Sequence, residues 1–519
     1  MPEISRRAFG AGILAAAGAP LLQSAAVEPP NILFICADEH GGPFLGSLGH
    51  AIVKTPNLDR LAASGVLFRN AYCGSPVCVP ARAGMMSGMF PSDVSSYCNS
   101  TPFRKPVPSW GNRLRDAGYN CWATGKLDLT EGLDYGFHEV NTGHGHSADP
   151  DITSLLRSPM CFRGNVRNDV NGSFSKTLPH YAGLAADENV LATALGFLRE
   201  DVRRTQKPWA IYAGFTSPHY PFVADLKYAS VYPPESMPLP DVPLDYLDKR
   251  HPIFEQLANF QRLSTPVAAE RVRRARATYF GMITELDRMT GSLLDELEKT
   301  GQMDRTLIVY TSDHGEMLGE HGLWFKNVLL ENAARVPLIM SGAGLPRGKT
   351  VDTPVMHVDM VATMLELAGV PRDPKLRGHS LVPLARGDSG AHSGIAYSES
   401  HSEGNCTGSF MIRKDGWKYI YATGYQPILF DLRSNRAEQH NLAGRAETAT
   451  VQSELHGELL RLIPNPDGVT ERAFAAQQTL LEKMIHDDTG QEFYQTLQSR
   501  LGAGEARILT NQLYRGRKG

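Results

Sequence analysis

The sequence predicts an α/β protein: a large, mixed but mostly parallel sheet sandwiched by helices, followed by a smaller antiparallel C-terminal subdomain. Three observations carry that expectation. Continuous apolar runs of strand length recur at Asn31–Ala37, Trp209–Phe215 and Thr306–Thr311, with a further one at Val336–Met340. Runs without alternation suit strands buried on both faces, as in a parallel sheet under helices. Between them lie helical patterns, the clearest from Ala268 to Lys299, whose tail MITELDRMTGSLLDELEK repeats apolar residues at helical spacing. Beyond the Gly/Ser/Asp-rich stretch Arg386–Gly394 the pattern changes to short aromatic and β-branched runs broken by turn residues.

In chain order, residues 1–26 read as a targeting segment. Ser5-Arg6-Arg7-Ala8-Phe9 is a twin-arginine pattern, a Gly/Ala-rich run follows it, and Ser24-Ala25-Ala26 offers small residues for cleavage. The expectation is export, to the periplasm or outside the cell, with no transmembrane anchor in the mature chain, because no later apolar stretch is long enough to cross a bilayer. Residues 27–385 form the main domain and 386–447 the antiparallel subdomain. The core of the latter is expected at Ser409–Arg413, Trp417–Tyr421 and Ile428–Leu432, divided by Asp415-Gly416 and Gly424. Residues 448–519 read as a helical extension.

Composition narrows the function classes. The 519 residues are 42% hydrophobic and 21% charged, ordinary for a soluble globular protein. A formal net charge of -3 without a basic stripe argues against nucleic acid as a partner. Seven cysteines are too few for a disulfide scaffold, and free buried thiols are expected for those without a chemical role.

The polar residues immediately after the apolar runs carry the chemistry, since open α/β sheets bind ligands beyond their strand ends. Asp38 and Glu39 follow one run, and Asp313 and His314 follow another. Carboxylates suit hard divalent cations such as Ca²⁺ or Mg²⁺, and an imidazole in the set admits Mn²⁺ or Zn²⁺. Acidic residues at strand ends are often only helix caps, and for Asp38 alone that reading would stand. Four such residues on two strands, with Cys78 in their company, favour a metal centre of Asp38, Glu39, Cys78, Asp313 and His314.

Cys78-Val79-Pro80-Ala81-Arg82, closed by Gly88, is the pattern that a formylglycine-generating enzyme reads, and the segment CVPARAGMMSG resembles the sulfatase signature in full. The stretch Ser312 to Lys326 is a second match to that family, and Gly125-Lys126-Leu127-Asp128 a partial third, with aspartate where the general pattern has histidine. Gly-Lys-Leu-Asp, Ser217-Pro218-His219-Tyr220-Pro221, His251-Pro252 and Ser398-Glu399-Ser400-His401 with Trp417-Lys418-Tyr419-Ile420 resemble the arylsulfatase K branch, whose members act on 2-O-sulfated glucuronate. That branch carries no acid where Glu39 stands.

The resemblance implies a sulfatase of the alkaline phosphatase superfamily. Cys78, oxidised to an aldehyde by the generating enzyme, hydrates to a diol whose one oxygen attacks sulfur while the other later expels sulfate. It further implies Arg82 holding the hydrate, Lys126 and Lys326 gripping the sulfate, and one divalent metal, Ca²⁺ ahead of Mg²⁺ or Mn²⁺. His219 and His251 are the candidates to protonate the leaving alcohol. Lys126, His251 and His401 are candidate substrate contacts. His144, His146, Arg157, Arg163 and Arg167 are weaker candidates in a divergent insert, since such side chains are more often simply solvated. The expected substrate is a sulfated small molecule or glycan, a sulfated uronate or related carbohydrate in particular. Two alternatives remain open: a phosphonate or phosphate monoester hydrolase of the same superfamily, and a catalytically silent protein that binds sulfated glycans.

Overall fold

A computed structural model of the chain describes residues 28–103, 107–143, 152–155, 175–177, 182–241, 250–261, 263, 267–402 and 404–487, with isolated positions 495, 498 and 504 beyond them. The expected targeting segment, Cys161, and the insert residues His144, His146, Arg157, Arg163 and Arg167 lie outside the described residues. The large sheet is built from β1 (Asn31–Ala37), β2 (Gly65–Phe68), β3 (Asn120–Lys126), β4 (His138–Gly143), β5 (Trp209–Gly214), β6 (Thr306–Ser312), β7 (Leu338–Ser341) and β8 (Lys349–Val351), in the order β8-β2-β7-β6-β1-β5-β3-β4. Only β7 runs antiparallel to its neighbours β2 and β6. The three apolar runs form the centre, every residue of β1, β5 and β6 being buried, so continuous hydrophobicity reflects helices on both faces.

The run Val336–Met340 does not form one strand. Arg335–Val336 pairs with Ala71–Tyr72 in a small three-stranded sheet, and only Leu338–Ser341 joins the large one. Pro337 stands at the break; lacking an N–H, it interrupts any ladder through that point.

Parallel register then assembles the strand ends. Ala37 pairs with Ser312, so Asp38 and Asp313 leave the sheet side by side. Gly125 of β3 pairs with Gly214 of β5, which brings Lys126 to the same edge. The two strands approach so closely there that a Cβ on Gly125 would lie 2.0 Å from the Gly214 carbonyl oxygen, so glycine is required. The long helix Ala269–Lys299 braces the loop after β1: the Tyr279 hydroxyl donates to the Glu39 carbonyl at 2.7 Å and accepts from Gly41 N–H at 3.0 Å.

The C-terminal unit is a four-stranded antiparallel meander of Ala396–Ser400, Ser409–Lys414, Trp417–Ala422 and Ile428–Asp431, backed by the helix Ala449–Leu462; a further helix spans Pro466–Asp487. Its first strand escapes sequence reading because Ala-Tyr-Ser-Glu-Ser lacks an apolar pattern, although all five residues are buried. A buried ion cluster docks this sheet on the main domain. Lys418 Nζ donates to Glu331 at 3.0 Å and to Glu438 at 2.8 Å, while the Tyr72 hydroxyl donates to Glu331 at 2.9 Å. Among the described residues, Cys36, Cys73, Cys78, Cys121 and Cys406 are free thiols, and no helix is long and apolar enough to cross a membrane.

Candidate active site

Cys78 opens the buried helix Cys78–Ser87, and Arg82 lies one turn later on the same face. Both side chains are fully buried at the sheet edge. Arg82 Nε donates to Asp313 Oδ2 at 2.9 Å, and its Nη1 donates to the Lys126 carbonyl at 2.6 Å and to the Tyr212 hydroxyl at 2.9 Å. The guanidinium therefore ties the signature helix to β3, β5 and the loop after β6. Tyr212 went unread because it sits inside the apolar run of β5, where nothing local distinguishes it from a packing residue.

The Cys78 sulfur lies 3.3 Å from His314 Nε2, 3.2 Å from Lys326 Nζ and 3.9 Å from Asp38 Oδ1. One ligand atom each from Asp38, Cys78, Asp313 and His314 falls within 4.8 Å of the others. Burial pushes the Cys78 thiol up to about 12, so it stands as a neutral thiol. Burial also raises Asp38, but the charges of Lys126, Arg82 and Lys326 outweigh it and hold the carboxyl well below the usual range. For His314 burial lowers the pKa, and its Nδ1–H donates to the Gly315 carbonyl at 3.0 Å, which leaves Nε2 as a lone pair aimed into the group. Two ionised or ionisable oxygen donors and a neutral imidazole nitrogen, all buried, fit a hard divalent cation.

Glu39, beyond the strand end and at a left-handed φ of 71°, turns the other way. Its Oε2 is 3.0 Å from Lys326 Nζ and 3.2 Å from His219 Nε2. Glu39 thus forms a second group with Asp38 and His219 instead of joining Cys78, Asp313 and His314. Behind it is Glu316, a residue the sequence reading did not single out. Glu316 accepts the Leu318 and Phe325 N–H groups at 2.7 Å each through Oε1, while its Oε2 and Glu39 Oε1 are buried without a hydrogen-bond partner among the described residues. Burial, ahead of the opposing charge of Lys326, drives Glu39 well above the carboxylate range.

Lys326 is the hub of this side, donating to Glu39, to the Cys78 sulfur and to His219 Nε2 at 2.8 Å, with its ammonium 5.2 Å from the Tyr220 ring centroid. Burial lowers its pKa, but the acidic groups around it, Asp38 among them, outweigh that and hold it well above the usual lysine range. His219 is held by Nδ1–H donation to the Tyr220 carbonyl, and burial followed by the Lys326 charge keeps the ring neutral, with Nε2 accepting from Lys326. Its loop is fixed from behind by Asp187, whose carboxylate accepts the Thr216 and Ser217 N–H groups at 2.7 and 2.9 Å. Lys126 is ion-paired with Asp38 and lies 3.2 Å from Asp128.

Two sequence candidates sit apart from this cluster. His251 caps the helix Pro252–Phe260 and donates from Nε2 to the Gln426 carbonyl at 2.9 Å, joining that helix to the C-terminal unit. His401 is buried against Tyr97 and Phe410, with Nε2 3.1 Å from Glu399. No described contact links either one to Cys78 or Lys326.

A model of the family described as Sulfatase matches residues 30–370, and one described as N-sulphoglucosamine sulphohydrolase, C-terminal, matches residues 319–465. Among known proteins, the chain is similar to the choline-sulfatase of Rhizobium meliloti (strain 1021), 34% identical over 82% of this chain and 85% of that protein. It is also similar to the arylsulfatase K of Danio rerio, 30% identical over 80% of this chain and 81% of that protein. Among solved structures, the phosphonate monoester hydrolase of Agrobacterium radiobacter superposes with a TM-score of 0.69 at 27% identity, covering 83% of this chain and 95% of that one.

Proposed function

This chain belongs to the sulfatase family of sulfuric ester hydrolases, and from that premise we propose that it removes sulfate from a carbohydrate, a sulfated uronate in particular, with Cys78 in the formylglycine state. The observation that carries the reading is the setting of the Cys78 sulfur, 3.2 Å from Lys326 Nζ and 3.3 Å from His314 Nε2 at a buried helix start. That sulfur stands in for an oxygen of the aldehyde hydrate. Asp38, Asp313 and His314 would hold the divalent ion, Ca²⁺ ahead of Mg²⁺ or Mn²⁺. When bound, the ion polarises the sulfate oxygens while the hydrated aldehyde supplies the attacking oxygen.

The chain's own residues do the rest. Arg82 fixes the helix that presents residue 78 through Nε and Nη1, bonded to Asp313, Lys126 and Tyr212, and its buried Nη2, which has no hydrogen-bond partner among the described residues, is the donor left to hold the hydrated aldehyde. Lys326 and Lys126 put fixed ammonium groups beside the transferring group, where charge develops. Departure of the alcohol requires a proton. His219, whose Nε2 lies in the site 2.8 Å from Lys326 Nζ, is the histidine placed by proximity to deliver it once protonated from solvent.

The uronate reading is supported by Gly125-Lys126-Leu127-Asp128 and the likeness to arylsulfatase K. A second reading, choline sulfate, is favoured by the 34% identity to a choline-sulfatase. Comparing kcat/KM for a 2-sulfated glucuronide, choline sulfate, an aryl sulfate and the matching aryl phosphonate tests all of this at once. Preference for the glucuronide sustains the proposal, preference for choline sulfate replaces its substrate, and preference for the phosphonate overturns its reaction. Export by the twin-arginine route is part of the proposal, supported by Ser5-Arg6-Arg7-Ala8-Phe9.

A further inference from the structure

Lys126 ends its strand between two buried carboxylates. Its ammonium is ion-paired with Asp38 and lies 3.2 Å from Asp128 Oδ2. The two acids are not equivalent. Asp38 is contested: Oδ2 also faces Arg82 Nη2 at 3.7 Å, and Oδ1 faces His314 Nε2 at 3.8 Å and the Cys78 sulfur at 3.9 Å. Asp128 belongs to neither group of potential metal ligands among the described residues. It is 1% exposed and adopts φ 52°, a left-handed conformation that aspartate tolerates better than most residues. The N–H groups of Leu127 and Asp128 both point at the Gly143 carbonyl, at 2.9 and 3.4 Å, so the chain turns sharply and returns the Asp128 carboxylate to the lysine two residues before it.

Arg82, Lys126 and Lys326 face Asp38, Asp313 and Asp128 in one buried cluster, beside a Glu39 that burial holds well above the carboxylate range. A divalent ion on Asp38, Asp313 and His314 adds two positive charges and draws on the carboxylate that Lys126 shares. The ammonium would then be repelled from the site it serves unless a second anion, remote from the ion, held it. We propose that Asp128 is a positioning residue for Lys126, keeping its ammonium at the active site when a divalent ion claims Asp38. The inference rests on the metal reading above. A histidine, which the general family pattern has at this position, supplies no fixed negative charge, so this coupling between metal occupancy and the lysine is particular to chains with an acid there.

The test is a double-mutant cycle read by calorimetric titration of Ca²⁺ into the full chain with unconverted Cys78, comparing wild type, Asp128→Asn, Lys126→Met and the double variant. Asp128→Asn is expected to weaken Ca²⁺ binding about tenfold, because Lys126 then competes undivided for Asp38, and to weaken it less than about threefold in the Lys126→Met background. Asp128→His provides a second variant should the asparagine form fold poorly, and the same dependence on Lys126 is expected of it. Equal losses in both backgrounds, or no loss in either, overturn the proposal while leaving the metal reading intact. Failure of the wild type to bind Ca²⁺, Mg²⁺ or Mn²⁺ overturns that reading and this inference with it.

Discussion

Replacing Lys326 by methionine keeps the bulk of the buried stem and removes only the ammonium. That group lies 3.2 Å from the Cys78 sulfur, which occupies the place of the reacting oxygen. At an effective dielectric of about 20, a full unit charge at that separation interacts by about 5 kcal/mol, and the half charge developing in a transition state by about 2.5 kcal/mol. This agrees with the cost of about 3 kcal/mol for deleting one transition-state donor, and it converts to a loss of about 10²-fold in kcat. The folded state is less affected, since Glu39, already well above the carboxylate range, can take up a proton when its 3.0 Å partner disappears. The assay is hydrolysis of 4-nitrophenyl sulfate by converted, metal-loaded enzyme, with kcat and KM separated and Tm recorded. A kcat within tenfold of wild type, or a defect confined to KM, would refute the assignment of Lys326 to the transition state.

Three further outcomes follow from the same geometry. His219→Gln should lower kcat about 10²-fold for an alkyl sulfate and far less for 4-nitrophenyl sulfate, whose leaving group needs no proton; His251→Ala, at a histidine tied to Gln426, should leave kcat for both substrates within about threefold. Chelation should abolish turnover and lower Tm, because Asp38 and Asp313 are fully buried and lose a counter-charge, with Ca²⁺ restoring both. In the docking cluster, burial, ahead of the opposing Lys418, pushes Glu438 up to about 7, while Lys418 and its neighbours overcome burial to hold Glu331 down to about 2. A raised acid contributes stability below its unfolded pKa and loses it as pH rises through the folded value. Urea stability should therefore fall from about pH 5 to about pH 8 by up to about 3 kcal/mol, and Glu438→Gln should flatten that slope. The Glu331 contribution has the opposite sign, present above its unfolded pKa and lost only as pH falls toward 2.

Much of this architecture is visible in the chain because its physical cause is local. The runs at β1, β5 and β6 are apolar throughout since helices cover both faces, and the residues just past them are reactive because parallel strands deliver their ends to one edge. The pairing of Ala37 with Ser312 brings Asp38-Glu39 and Asp313-His314 into one site. What escaped reading has a different cause. That Asp38 faces Cys78 and Glu39 faces Lys326 depends on which side of the sheet edge each residue takes, and composition is silent on it. Tyr212 and Glu316 serve the site through single polar atoms embedded in otherwise ordinary stretches. In the strand Ala396–Ser400, Glu399 and Ser400 find partners far along the chain, the Ser92 N–H donating to Glu399 at 2.7 Å and the Ser400 hydroxyl to the Asn327 carbonyl at 3.4 Å. His401, conspicuous in the sequence, packs into the interior beside that strand.

The proposed hydrolysis requires residue 78 to react as an aldehyde and not as a thiol. The measurement that tests this most directly is the mass of the peptide spanning Cys78, taken from enzyme produced together with a formylglycine-generating enzyme and shown to release sulfate. An aldehyde is expected in place of the thiol, in a fraction that rises and falls with specific activity across preparations. An intact thiol in fully active protein would contradict it.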